Sequence, residues 1–197
     1  MSFTAGALLY RESVTLSELW VQTEDWGIVK DEVLTGNLLQ MRTMSAAKRV
    51  FREARARLQT LTPPQMALLV DGLRQEQNCL LWLAICKRFL FIHDFAVEVL
   101  REKFLLLNPV LTQNDYDQFF ANKTEWHPEL EALALSTRKK QREIVFRMLR
   151  EGELLSTDGV IIPPIFSPHL VQVITQDDPA YFQIYPTPDP MVTGHTQ

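Results

Sequence analysis

The chain has 197 residues, of which 46% are hydrophobic, 22% charged and 10% aromatic. That balance belongs to a folded domain and excludes collagen, low-complexity and generally disordered chains. A chain this long buries roughly 70% of its unfolded surface and needs no disulfide or metal to hold it. Seven Gly against eleven Pro disfavours a turn-rich β-sandwich or barrel. The net charge of −4 conceals segregation, because residues 40–60 carry +5 and residues 136–150 carry +5 while every other stretch is acidic. The last stretch, 151–197, holds six acidic side chains and no basic one. Local fields of this kind draw polyanions even where the whole chain is acidic.

In chain order, 16–22 and 26–34 read as two short helices around Gly27, followed by an apolar turn at 37–41. Ser45 is the expected N-cap of a helix reaching Gln59. Ala47, Phe51, Ala54, Leu58 and Leu61 form its apolar stripe. Thr62-Pro63-Pro64 caps the next helix. The stretch 77–107 is apolar nearly all round, as a buried helix or two consecutive ones must be. It is not a membrane span. A span needs about 18–20 nearly uncharged residues, and Lys87 and Arg88 end the clean run that starts at Cys79. Cys79 and Cys86, seven apart, are expected on one buried face as reduced thiols, which suits the cytoplasm. Residues 1–25 do not read as a secretory signal.

Asn108-Pro109 ends the apolar region, and Thr112 with Asp115 caps a helix through Phe119 and Phe120. Helices at 129–133 and 137–150 follow, with a turn at 135–136 and Gly152 as the C′ residue. Beyond Ser156 prolines multiply; a small hairpin after Gly152, a short helix at 169–175 and a tail pinned by Tyr181, Phe182 and Tyr185 are expected. The fold class is all-α, with a proline-rich C-terminal segment. Three regions are expected, 1–62, 63–126 and 127–197, which can pack as one unit.

Both basic blocks fall on the second helix of a helix–turn–helix-like pair, toward its N-terminal half, the half a recognition helix directs at bases and phosphates. Arg42, Ser45, Lys48, Arg49, Arg52 and Arg55 form the first candidate surface, and Thr137, Arg138, Lys139, Lys140 and Arg142 the second. Eight or more cations suffice for a salt-sensitive duplex complex of roughly 6–10 phosphate contacts. A solvated basic face is the competing reading for either block alone.

Catalytic chemistry finds little support. None of His93, His127, His169 and His195 stands four residues from another, so no helical metal pair exists. His93 beside Asp94 suits a packed side chain better than a base with its orienter, and Asp115, Asp117 and Glu125 suit helix capping better than metal binding. No phosphate loop or nucleophile elbow occurs. No catalytic residue, metal, cofactor or small-molecule substrate is expected. Trp20, Trp26, Trp82 and Trp126 read as core anchors.

The chain resembles the BrxA family, the small component of bacteriophage exclusion (BREX) defence systems. The resemblance runs from Asn37-Leu38-Leu39 to Ser45-Ala46-Ala47-Lys48-Arg49 and Arg52-Glu53. It continues through Cys86-Lys87, Phe91-Ile92, Asp94-Phe95, Glu98-Val99, Asp115-Tyr116-Asp117, Phe119-Phe120 and Lys123. Pro128-Glu129-Leu130, Thr137, Lys140 and Met148-Leu149 complete it, over roughly residues 8–185, while 186–197 match no pattern. It implies an all-helical, cytoplasmic bacterial protein that binds double-stranded DNA through helix–turn–helix elements, beside a methyltransferase and an ATPase, without a membrane anchor. The rival readings are an RNA-binding helical module, similar to antitermination factors, and a protein-interaction adaptor whose basic helices dock on acidic partners.

Overall fold

A computed structural model describes residues 6–125 and 128–188. The chain is all-α. Helices α1 (Tyr10–Thr23), α2 (Trp26–Thr35), α3 (Met44–Leu58) and α4 (Pro63–Asp71) precede the central helix α5 (Arg74–Arg88). Helix α6 (Leu90–Phe95) runs through a π-helical stretch, Ala96–Arg101, into α7 (Glu102–Leu105). Then come α8 (Gln113–Thr124), α9 (Pro128–Glu131), α10 (Leu135–Glu151), α11 (Pro168–Thr175) and a 3₁₀ turn, Pro179–Ile184.

The N-terminal helix is longer than its apolar pattern suggested, and Gly27 lies inside the first turn of α2, not between the helices. Asp25 is the reason: its carboxylate accepts the Gly27 N–H at 2.6 Å and starts α2 one residue before the glycine. Ser45 is not the N-cap of α3. Thr43 takes that place, its hydroxyl accepting the Ala46 N–H at 3.2 Å. Thr62 caps α4 in a capping box with Gln65. Gly152 closes α10 in a right-handed conformation, and the left-handed residue is Glu153.

Helix α5 is the core axis. From Glu76 to Cys86 every one of its residues is buried, so it must be apolar all round. It packs against α1, α3, α4 and α6. Cys79 and Cys86 are free thiols on it, pushed up by burial, Cys79 to about 12, and are inert as nucleophiles at neutral pH. Two polar bonds tie the C-terminal segment to this axis. The Trp82 indole donates to the Ile184 carbonyl at 3.0 Å, and the Tyr185 hydroxyl donates to the Cys79 carbonyl at 2.8 Å. Tyr185 and Phe182 are buried, as the tail pattern required, and Tyr181 is half-buried. Trp20 and Trp26 stack half-buried near the surface, so they do not anchor the centre as Trp82 does. Trp126 lies outside the described residues.

The hairpin expected after Gly152 is reduced to two antiparallel bridges, Leu155 with Ile161 and Val110 with Val160. Gly159 makes the turn at φ +81°, and a Cβ there would stand 3.0 Å from the Leu111 carbonyl. Among the described residues, no helix is long and apolar enough to cross a membrane.

Thr112 and Asp115 form the capping box of α8, and Lys103 donates to Asp115 at 2.9 Å. Partial burial pushes the Asp115 carboxyl upward, but bonds from Lys103 and from Thr112 outweigh it and hold the carboxyl below its ordinary range. A depressed carboxylate contributes stability above its unfolded pKa, about 3.9, and loses it as pH falls through the folded value. Asp115→Asn is therefore expected to lower thermal stability at pH 7 by under ~1 kcal/mol. Melting curves of the two proteins should converge toward pH 3. A gap that persists in acid would contradict this account.

Candidate nucleic-acid interface

Helix α3 divides cleanly into two faces. Ala47, Phe51, Ala54 and Leu58 are buried against α1, α2 and α5. Ser45, Lys48, Arg49 and Arg52 recur at the spacing that aligns side chains on one helical face, and all four are exposed. With Met44 they line a shallow depression of about 520 Å³. Arg42 stands exposed just before the helix. No carboxylate occurs between Glu32 and Glu53, and Lys48, Arg49 and Arg52 make no ion pair among the described residues. The face from Ser45 to Arg52 rises ~10 Å, the axial length of about three phosphates along one strand.

Arg55 departs from this face. It is half-buried, its guanidinium 5.7 Å above the Trp26 ring. Arg57 is buried outright. It pairs with Glu53 at 2.9 Å and donates to the Ala7 carbonyl at 2.6 Å. Burial depresses its pKa, opposed by Glu53 and more weakly by Glu151.

The second block is rearranged more. Helix α10 begins at Leu135, two residues before Thr137, so Thr137 is half-buried in the first turn and Ala134 offers no side-chain cap. Arg138 folds back over the preceding turn. It donates to the carbonyls of Leu133 at 3.0 Å and Glu131 at 2.6 Å, and lies 5.0 Å above the Phe120 ring. Arg142 pairs with Asp117 of α8. Lys139 and Lys140 remain exposed and unpaired among the described residues.

The exposed face of α10 runs on where the sequence pattern stopped. Gln141, Ile144, Val145, Met148 and Leu149 are buried, leaving Lys139, Lys140, Glu143, Arg147 and Arg150 outside. Arg147 and Arg150, with Arg142, Glu143, Phe146 and Gln113, line a groove of about 250 Å³. They were legible as the continuation of one face at i, i+3/i+4 and i+7 from Lys140 and Glu143. Neither α3 nor α10 has an acidic residue in its first turn, so the positive end of each helix dipole is left without a protein counter-charge.

The two helices meet near their C-terminal ends. Glu151 accepts the Leu8 N–H at 2.8 Å, while Arg57 holds the neighbouring Ala7 carbonyl. From that junction the Lys48 end of α3 lies ~14 Å back along its helix, and the Lys140 end of α10 ~17 Å back along its own. The cation groups thus occupy the outer ends of two arms.

His93 Nδ1 lies 3.3 Å from Asp94, whose other oxygen accepts from Lys123 at 2.7 Å, so Asp94 is committed to an ion pair. Glu98 completes that pair on Lys123. His127 and His195 lie outside the described residues. Among the described residues, no three His, Cys, Asp or Glu side chains are grouped to hold a metal ion.

Fold and surface together define an all-helical protein presenting two outward cationic helix faces. The BrxA family model matches residues 1–178. The chain belongs to the BrxA family. It is 26% identical over 152 residues to BREX protein BrxA of Escherichia coli O9:H4 (strain HS), covering 77% of this chain and 71% of that protein. It is 27% identical over 150 residues to BREX protein BrxA of Paramagnetospirillum magneticum, covering 74% and 73%. A third BREX protein BrxA, from Bacillus cereus, is 26% identical over 127 residues, 64% of each chain. The crystal structure of an uncharacterized protein from Magnetospirillum magneticum shares the fold, with a TM-score of 0.78 at 22% identity over 93% of this chain and 96% of that one.

Proposed function

We propose that this chain is a non-enzymatic, double-stranded-DNA-binding component of a bacterial BREX anti-phage system, acting in the cytoplasm. The unpaired cations on one face of α3, Lys48, Arg49 and Arg52, carry this reading. A protein surface rarely leaves a cluster of like charges with no counter-ion near it unless an anion is its partner. Helices α2 and α3, and α9 and α10, serve as the two helix–turn–helix-like elements. Residues 36–43 join the first pair and 132–134 the second. Arg42, Ser45, Lys48, Arg49 and Arg52 bind one stretch of backbone. Lys139, Lys140, Arg147 and Arg150 bind another, with the uncapped N–H groups that open α10. Arg55, Arg138 and Arg142 brace these helices, and Thr137 supports the α10 start. Most contacts are to phosphate, so sequence preference is weak. The resemblance to BrxA supports work beside a BREX methyltransferase and ATPase.

Fluorescence-anisotropy titration of a labelled duplex at several salt concentrations tests this. Affinity is expected to fall steeply with salt, and a slope near zero on logarithmic axes would overturn the proposal. Lys139→Glu with Lys140→Glu should lower the slope by about two, roughly 0.9 per lost contact. The helical circular-dichroism signal should stay unchanged. Competition with RNA duplex of equal length separates the RNA-binding alternative.

A further inference from the structure

Asn78 is the exception on the core helix. It is 2% exposed, and both polar atoms of its amide, Oδ1 and Nδ2, are shielded from solvent without a hydrogen-bond partner. Its polar neighbours are satisfied. Gln77 donates to the Leu69 carbonyl and accepts from Tyr10, and Glu76 accepts from the Leu73 N–H and the Ser167 hydroxyl. A buried amide left with neither donor nor acceptor bond is rare enough to need a reason.

Asn78 lines a cleft of about 330 Å³, the lower end of the range for ligand sites. Gln75 and Cys79 share its helix face, and the opposite wall is Ile162-Pro163-Pro164-Ile165 with Glu153 at the mouth. Among the described residues, the carbonyls of Ile162, Pro163 and Pro164 accept no hydrogen bond; the Ile162 N–H is taken by Leu154. Ile165 is 73% exposed. The cleft therefore combines apolar walls, a row of free carbonyls along one edge, and one amide lacking both partners.

We propose that this cleft binds a short extended apolar peptide of a partner protein, clasped by Asn78. The N–H and C=O of one residue point to the same side of an extended chain. Those two groups are the complement of a free carboxamide, with Nδ2–H donating to the peptide carbonyl and Oδ1 accepting its N–H. The terminal torsion of an Asn side chain is soft, so rotation presents both atoms to the cleft. Further N–H groups of the peptide meet the carbonyls of residues 162–164, and its aliphatic side chains lie against Ile162, the prolines and Ile165. A small carboxamide would use Asn78 alone and leave that edge idle.

The experiment uses the full chain, ¹⁵N-labelled, titrated at millimolar concentration with blocked tripeptides covering every order of Leu and Val. The Asn78 side-chain amide signals and the backbone signals around Ile165 are expected to shift together. Asn78→Leu should retain the fold and weaken binding about tenfold or more. Ile165→Glu, at an exposed position that cannot disturb the core, should weaken it as well. The same peptides with every amide nitrogen methylated should not bind. The proposal is overturned if no tripeptide shifts these signals, if both variants bind as the parent does, or if acetamide alone binds equally well. DNA affinity, measured in parallel, is expected to be unaffected by Asn78→Leu.

Discussion

Reversing Lys48, Arg49 and Arg52 to Glu together is expected to weaken duplex binding on the order of 10²–10³-fold near 0.1 M salt. Three lost phosphate contacts should also reduce the log–log salt slope by about 2.7. All three side chains are exposed and lack ion pairs among the described residues, so no internal contact is broken and the melting temperature should hold. Arg138→Ala supplies the contrast. Its guanidinium is spent on the carbonyls that end α9 and on the Phe120 ring, so its loss should lower stability and leave the salt slope nearly intact. If Arg138→Ala and the triple reversal changed the slope equally, the division between contacting and bracing cations made from the two helices would fail.

That division was only half legible in the sequence. On α3 the apolar stripe is strict, and four exposed side chains follow from it by elimination, so Lys48, Arg49 and Arg52 emerge where periodicity places them. On α10 the same reasoning misplaced the surface. A cluster of consecutive cations, Arg138 to Arg142, says nothing about which of them tertiary partners will claim. Asp117, on a helix whose angle to α10 no local pattern encodes, takes Arg142. The carbonyls freed at the end of a one-turn helix take Arg138. Arg147 and Arg150 were passed over because attention to the N-terminal half ended the surface too early, although the helical period carries it on to the last turn.

Caps were similarly divided. Thr62 and Thr112 stand beside prolines or three residues before a reciprocal partner, and both cap as expected. Near α3, Thr43 and Ser45 both carry a suitable hydroxyl, and only the backbone bend at Thr43 selects between them. The buried carboxamide of Asn78 was invisible for another reason. Its helix reads as apolar all round, and satisfaction of a polar group depends on distant segments, here 152–153 and 162–165.

Trp82→Ala is expected to be the most damaging single change in the core. Trp82 has no exposed surface, and its indole N–H holds the carbonyl of Ile184, itself fully buried. Truncation opens a cavity worth about 3–5 kcal/mol and strands the Ile184 carbonyl in an apolar interior, adding about 1–3 kcal/mol. For a chain of this length each kcal/mol moves the melting temperature by roughly 2–4 °C, so a fall of at least ~6 °C follows. The loss should be felt first along Pro179–Ile184, because Trp82 and Tyr185 are two of the polar ties that fix that turn to α5. Limited proteolysis under native conditions should therefore cut Trp82→Ala near residues 176–188 before any site on α3. Trp82→Phe, which keeps most of the volume but not the donor, should fall between parent and alanine variant. If Trp82→Phe melted with the parent and resisted protease equally, the hydrogen bond to Ile184 would not be what holds the C-terminal segment. If cleavage began on α3 instead, the core would be opening at its N-terminal side, away from this contact.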